Sequence, residues 1–341
     1  MRINKQRISS QKGNGNSLEL LLAKSKQAVV RRLNRVSGPQ FLTFLTLFIY
    51  LVGLGSGFLL WGQGISATET AIATAVADEH SEHIALSEQV NPPEGFTLAT
   101  RYGDVGPQLV SAGAIDQDRF GQIYEQANRP LSAAQLEILE QGSQSQVVLN
   151  KQNAYFLLNF FWALGLANQN AILTEGQMMQ NGAEQLGRFA STGGWTLGVN
   201  SATDLYAATQ ILSLTELQQK RLEEVAMNVY RPCCNNPTHF PDCNHGMAML
   251  GLLELMASQD ASTEEMYTAA KYANAFWYPS QYLELAQFFK SNQNSNFVDV
   301  DSQELVSANY SSGNGFKAAH QWLADNGLLP GATGSGSSCG V

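Results

Sequence analysis

Tyr155–Leu166 reads YFLLNFFWALGL, the most apolar stretch of the chain after residue 63. It spans twelve residues, well short of the roughly 20 a helix needs to cross a bilayer. A run this apolar and this long predicts the central core helix of a folded body, its rings used for packing rather than for lining an aromatic ligand pocket.

Around that run the signals are mostly helical. Four capping boxes can be read: Ser132 with Gln135, Thr174 with Gln177, Thr215 with Gln218 and Ser262 with Glu265. In each, a hydroxyl can cap an amide three residues on while the Glu or Gln reaches back. Apolar residues recur at helical spacing, as in Phe120, Ile123 and Tyr124, and in Leu222, Val225, Ala226 and Val229. Gly113, Gly142 and Gly327 fall where helices should end. Strand signals are confined to Phe96–Thr100 and Val147–Leu149, enough for a small ribbon. One mainly α domain is predicted over 94–328, with a core large enough to need no disulfide. The Gly/Ser-rich tail over 329–341 is predicted to be flexible.

The 341 residues carry a net charge of −9, from 20 Lys+Arg against 29 Asp+Glu. Charged residues make up only 14%, against roughly 25% in an ordinary soluble domain. The hydrophobic content of 44% is normal and excludes a disordered chain. Residues 1–40 hold nine basic groups and one acid, Glu19, so the average conceals a basic head and an acidic body. Such a body is a poor partner for nucleic acid, whose phosphates need a basic face.

Between head and body, Phe41–Trp61 reads FLTFLTLFIYLVGLGSGFLLW and carries no charge. Its length predicts a transmembrane helix over 41–63, with Trp61 at the interface and, by the positive-inside rule, the N-terminus in the cytoplasm. The alternative is a cleaved signal peptide, but the site at Ala75-Val76-Ala77 lies far past the apolar run. Gly53 and Gly57 have the spacing of a helix-pairing motif, though small residues are common in spans. Ser17–Arg35 is amphipathic and suits an anionic lipid surface. Residues 64–93 read as a stem ending at Asn91-Pro92-Pro93. The predicted fold class is therefore mainly α: an N-terminal single transmembrane helix followed by an extracytoplasmic helical-bundle-like domain. The predicted location is the cytoplasmic membrane, single-pass, with the lipid bilayer and an extracytoplasmic protein client as partners.

Chemistry concentrates in one loop. Three of the four cysteines and two of the five histidines fall within Cys233–His245, in the run RPCCNNPTHFPDCNHG over 231–246. Pro232, Pro237 and Pro241 keep this joint between two helices out of regular structure. Asp242 is a natural N-cap, which would place Cys243 in the first helical turn, where free amides and the helix dipole favour a thiolate. Met247 and Met249 follow Cys243 and His245 by four residues and share their helix faces.

Three readings of the loop stand side by side. A transition-metal site would use Cys233, Cys234, His239, Cys243 and His245, a sulfur and imidazole set suited to copper, zinc or iron. A structural disulfide would join Cys243 to Cys233 or Cys234, since bridging the adjacent pair is strained. The domain would then be a non-catalytic interaction module. A redox centre would use Cys243 as the low-pKa thiol with Cys233 or Cys234 as resolving partner. The spacing CC-x8-C-x-H matches no zinc-finger or haem-attachment pattern.

The run CCNNPTHFPDCNHGMAM followed by LGLLELMASQDASTEEM resembles the short periplasmic thiol domain of the cytochrome c maturation system. The likeness covers about residues 231–266. It implies a three-helix bundle handling apocytochrome thiols or haem, with the redox pair on Cys233 or Cys234 and Cys243 as an extra. The family's cysteines are separated by two residues, whereas Cys233 and Cys234 are adjacent. A looser similarity links the loop to membrane-attached bacterial proteins with a Pro-Cys-Tyr-Cys-Gly-Cys loop. Metalloprotein maturation is the role the first of these likenesses implies; the second carries no known role.

Weaker candidates lie elsewhere. His80 and His83, in Glu79-His80-Ser81-Glu82-His83, are one turn apart but lack the spacing of a zinc protease. His320 reads as an ordinary surface or half-buried residue. Ser191–Trp195 reads as a flexible loop beside a cleft, and the tail thiol Cys339 has no assigned partner. No GxSxG elbow supports serine hydrolase chemistry.

Overall fold

The computed structural model describes residues 39–57, 81–180 and 182–330. The chain divides into two units, Met1–Glu79 and His80–Val341. In the first, the described element is a helix, α1, Pro39–Gly57. The second runs through a helix over 81–90 (α2), β1 Phe96–Gly103, α3 Val105–Ser111, α4 Gln117–Gln126, α5 Ala133–Glu140, β2 Ser143–Leu149 and α6 Ala154–Ala167. After a series of short helical turns come α7 Glu216–Asn228, α8 Asn244–Ser258, α9 Thr263–Trp277, α10 Pro279–Gln293 and α11 Gly313–Asp325.

The predicted membrane span is not found. No helix among the described residues is long and apolar enough to cross a membrane. α1 has 19 residues and opens on Pro39 and Gln40. At about 1.5 Å per residue it is shorter than the roughly 30 Å hydrocarbon core. Phe58–Trp61, which the span also required, lie outside the described residues. The single-pass anchor, the membrane location and the extracytoplasmic placement of the body all rested on that span, so all three are withdrawn. The basic segment over 1–40, with its amphipathic stretch, lies outside the described residues apart from Pro39 and Gln40.

In the larger unit, the mainly helical reading holds. α6 is buried from Phe156 to Ala167 and packs along α8. Their contact is unusually close because each helix presents a glycine to the other. A Cβ on Gly165 would lie 2.1 Å from the Met247 carbonyl oxygen, and one on Gly251 would lie 2.2 Å from that of Phe161. α7 and α9 also pack on α8, α10 packs on α9, and α11 packs on α10. The end of the predicted stem belongs to this body: Leu86 and Val90 of α2 are buried, and the Asn91 side chain donates to the Ala275 carbonyl at 3.0 Å.

The two predicted strands pair antiparallel and are longer than their signals, with Phe96 opposite Leu149 and Gly103 opposite Ser143. Along β1, Leu98, Thr100 and Tyr102 turn inward in strict alternation. Three of the four capping boxes form, at Ser132, Thr215 and Ser262. The fourth does not, because Thr174 ends a helical turn instead of starting one. Its hydroxyl donates back to the Asn170 carbonyl, and Gly176 opens the next turn.

Candidate functional site

The loop between α7 and α8 is fixed from several sides. Tyr230 donates its amide to the Val306 carbonyl, Thr238 to that of Val229 and His239 to that of Ala226. Gly313, at the start of α11, donates its amide to the Cys234 carbonyl at 2.7 Å. The Asn314 amide donates to the Asn235 side chain at 2.8 Å. Ser191 donates its amide to the Asp242 carbonyl, while the Ser191 carbonyl accepts from the Trp162 indole at 2.6 Å. The Ser191–Trp195 segment overlaps a helical turn, Ala190–Gly193, whose buried residues Ser191 and Thr192 face the protein and tie it to the loop. It is not the flexible cleft edge the sequence predicts.

Within this frame three sulfurs converge. The Sγ atoms of Cys233, Cys234 and Cys243 lie within 4.8 Å of one another, and those of Cys233 and Cys243 are 3.6 Å apart. All three are free cysteines, so the structural disulfide is not formed. Cys233 is exposed and the other two are half-buried, which leaves one side of the cluster open to solvent.

The residue that organises the cluster is Arg231, only 1% exposed. Its Nε donates to Cys243 Sγ at 3.0 Å and its Nη1 to the Asn236 carbonyl at 2.9 Å. Its Nη2 forms an ion pair with Asp242 Oδ1 at 2.8 Å. Asp242 Oδ2 accepts from the Asn236 side chain at 2.8 Å. The guanidinium is thus a planar fork whose branches each meet an acceptor. Gly246 makes room for it, since a Cβ there would lie 2.4 Å from the guanidinium carbon.

This arrangement changes the roles read from sequence. Asp242 is taken by Arg231, and Cys243 itself is the N-cap of α8, its sulfur accepting the Gly246 amide at 3.4 Å. Hydrogen bonds from the Cys233 and Cys234 thiols, and then the Arg231 charge, hold the Cys243 thiol well below its ordinary pKa against the effect of burial. Cys233 is pushed up by its hydrogen bonds to Cys234 and Cys243 and by burial, although the Tyr278 hydroxyl donates to its sulfur at 3.0 Å. The site therefore favours the thiolate at Cys243, between a fixed cation and the helix N-terminus, over one at Cys233 or Cys234.

The two histidines do not join the sulfurs. His245 is 4% exposed, with Nδ1 2.9 Å from Asn244 Oδ1 and its ring 4.5 Å from that of Tyr278. Burial lowers its pKa to about 4, so the imidazole is neutral. His239 is half-buried and held through its backbone. Neither imidazole belongs to the converging group. Met247 and Met249 are core residues. His320 pairs with Glu284 at 2.6 Å. His80 and Cys339 lie outside the described residues, while His83 sits in α2. A surface cleft of about 750 Å³, lined by Tyr102, Tyr124, Arg129 and Lys151 among others, shares no residue with the loop.

Arg231 is the functional residue that motif reading missed. The available signal was its position beside Pro-Cys-Cys in a loop whose other charged residue is Asp242. Comparison with known proteins brings no further assignment: no family model, no curated protein and no solved structure matches the chain.

Proposed function

We propose that the loop binds a soft transition-metal ion through the thiolates of Cys233, Cys234 and Cys243. The observation that carries this reading is the mutual approach of the three sulfurs to within 4.8 Å. An ion with metal–sulfur bonds of about 2.3 Å holds its sulfurs about 3.8 Å apart in tetrahedral geometry and about 4.0 Å apart in a trigonal plane. The triad needs only side-chain adjustments to close on one ion. Sulfur donors select copper(I) or zinc over calcium and magnesium, which require oxygen ligands. The one carboxylate in contact with the cluster, Asp242, is committed to Arg231.

Metal binding requires deprotonated thiols. Arg231 and the α8 N-terminus supply the positive potential that makes the first of them available. The exposed side at Cys233 leaves a path for an ion to enter, or to pass to a protein client. Delivery in metalloprotein maturation is the role that the local resemblance adds to this reading.

The test is elemental analysis of protein purified without oxygen, before and after loading with copper(I) or zinc. About one equivalent of ion is expected per chain, and a Cys243→Ser variant is expected to hold none. A native chain that takes up neither ion in stoichiometric amount overturns the proposal.

A further inference from the structure

We propose that the metal site carries its own release switch: a disulfide between Cys233 and Cys243, formed by reaction with a low-molecular-weight disulfide, ejects the ion. This inference rests on the metal-binding reading and adds the regulation of that site.

The geometry separates the three sulfurs into a reactive pair and a fixed third. Cys233 Sγ and Cys243 Sγ are 3.6 Å apart, so closing a disulfide of about 2.05 Å requires an approach of about 1.5 Å. Cys233 is exposed, leaving its side chain room to move. Cys243 Sγ accepts from both the Arg231 guanidinium and the Gly246 amide, the environment of an attacking sulfur anion. Cys234 has competing partners outside this pair. Its carbonyl is tied to the Gly313 amide at 2.7 Å, and its sulfur faces the Asn236 carbonyl at 3.9 Å and Asp242 Oδ1 at 4.0 Å. Bridging adjacent cysteines would also strain the backbone.

The chemistry balances without a further reagent. The Cys243 thiolate attacks one sulfur of the external disulfide; a mixed disulfide forms and one external thiolate leaves. Cys233 sulfur then attacks Cys243 Sγ, its proton in the metal-free chain passing to an external thiolate already released; the internal disulfide forms and a second thiolate leaves. Two electrons pass from the Cys233–Cys243 pair to the external disulfide. The ion departs with its charge unchanged, because two of its three ligands have been converted to weak donors. The bonds of Arg231 to Asn236 and Asp242 involve neither sulfur of the pair, so the loop is expected to keep its shape and the site to be reloadable after reduction.

The experiment treats the full chain, metal-free and metal-loaded, with oxidised glutathione and maps the products by peptide mass spectrometry. The expected result is a Cys233–Cys243 link in the metal-free chain and in a Cys234→Ser variant, whose backbone contact to Gly313 is preserved. In the loaded chain about one equivalent of ion should be released per link formed, and a thiol reductant should restore binding. Cys233→Ser should abolish the link. A loaded chain that binds its ion but forms no such link overturns the switch alone, as does a link that closes while the ion stays bound. A chain that binds no ion in its reduced state overturns the metal reading and the switch together.

Discussion

Arg231 and Glu254 are both sealed from solvent, at 1% and 0% exposure, yet the fold treats them in opposite ways. Arg231 sits beneath the first turn of α8 with its guanidinium bonded to Cys243, Asn236, Phe240 and Asp242. Glu254 lies further along the same helix, and the polar group beside its carboxyl, the Asn168 amide, meets it in too poor a geometry for a full hydrogen bond. Burial drives its pKa well above the usual carboxylate range, against a smaller pull from Asn168. A buried charge survives only when it is paired and fully bonded; otherwise the group gives up its charge. Arg231 remains a cation because the loop was built around it. Glu254, with no comparable set of partners, is biased by burial towards its neutral form. One end of α8 is thus organised for electrostatic work and the other is not, and the organised end is the one that carries Cys243.

The largest effect that can break this contrast is removal of the cation. Arg231→Met should destabilise the fold by about 3–5 kcal/mol, because it removes the cation paired with Asp242 and the donors to the Asn236 and Phe240 carbonyls. Chemical denaturation reads this directly, and a loss below about 1 kcal/mol would mean that the Arg231 network is not integral to the loop. Gly246→Ala should cost about 1–3 kcal/mol, since the new Cβ meets the guanidinium rather than open space. It should also slow alkylation of the Cys243 thiol by displacing its positive partner.

At the other end of the helix the sign reverses. Glu254→Met should stabilise the protein by about 1–3 kcal/mol at neutral pH by removing a poorly bonded buried acid. The pH dependence follows from linkage. The folded-state pKa of Glu254 is raised above its ordinary value of 4.5, so its contribution is complete below that pH and is lost as pH rises through the folded value. The native chain should therefore lose stability relative to Glu254→Met as pH is raised from about 4.5. Equal slopes for the two proteins would show that the acid is solvated. The smallest effect comes from a site remote from both residues: Ser262→Ala should cost about 1 kcal/mol through its lost cap.

Much of the helical body was legible because its signals are local. The α6 run is apolar on every face, and the boxes at Ser132, Thr215 and Ser262 each need only residues three apart. Thr174 misled because the same spacing occurs where Gly176 interrupts the chain and no helix follows. The membrane span was read from the absence of charge over Phe41–Trp61, and the described part of that stretch, within α1, is not long and apolar enough to cross a membrane. At the site, the gathering of Cys233, Cys234 and Cys243 was legible from their density in a proline-stiffened joint. The exclusion of His239 and His245 was not, since it depends on tertiary packing against Ala226 and Tyr278. Arg231 was hidden for the same reason: an arginine in a loop is ordinarily solvated, and only the folded loop shows it enclosed.

The most direct test of the three-sulfur site is X-ray absorption spectroscopy of the copper(I)- or zinc-loaded full chain, counting the atoms bound to the ion. Three sulfurs at about 2.3 Å are predicted, falling to two in Cys234→Ser and unchanged in His245→Gln. A first shell dominated by nitrogen or oxygen, or one that loses a ligand when His245 is replaced, would contradict it.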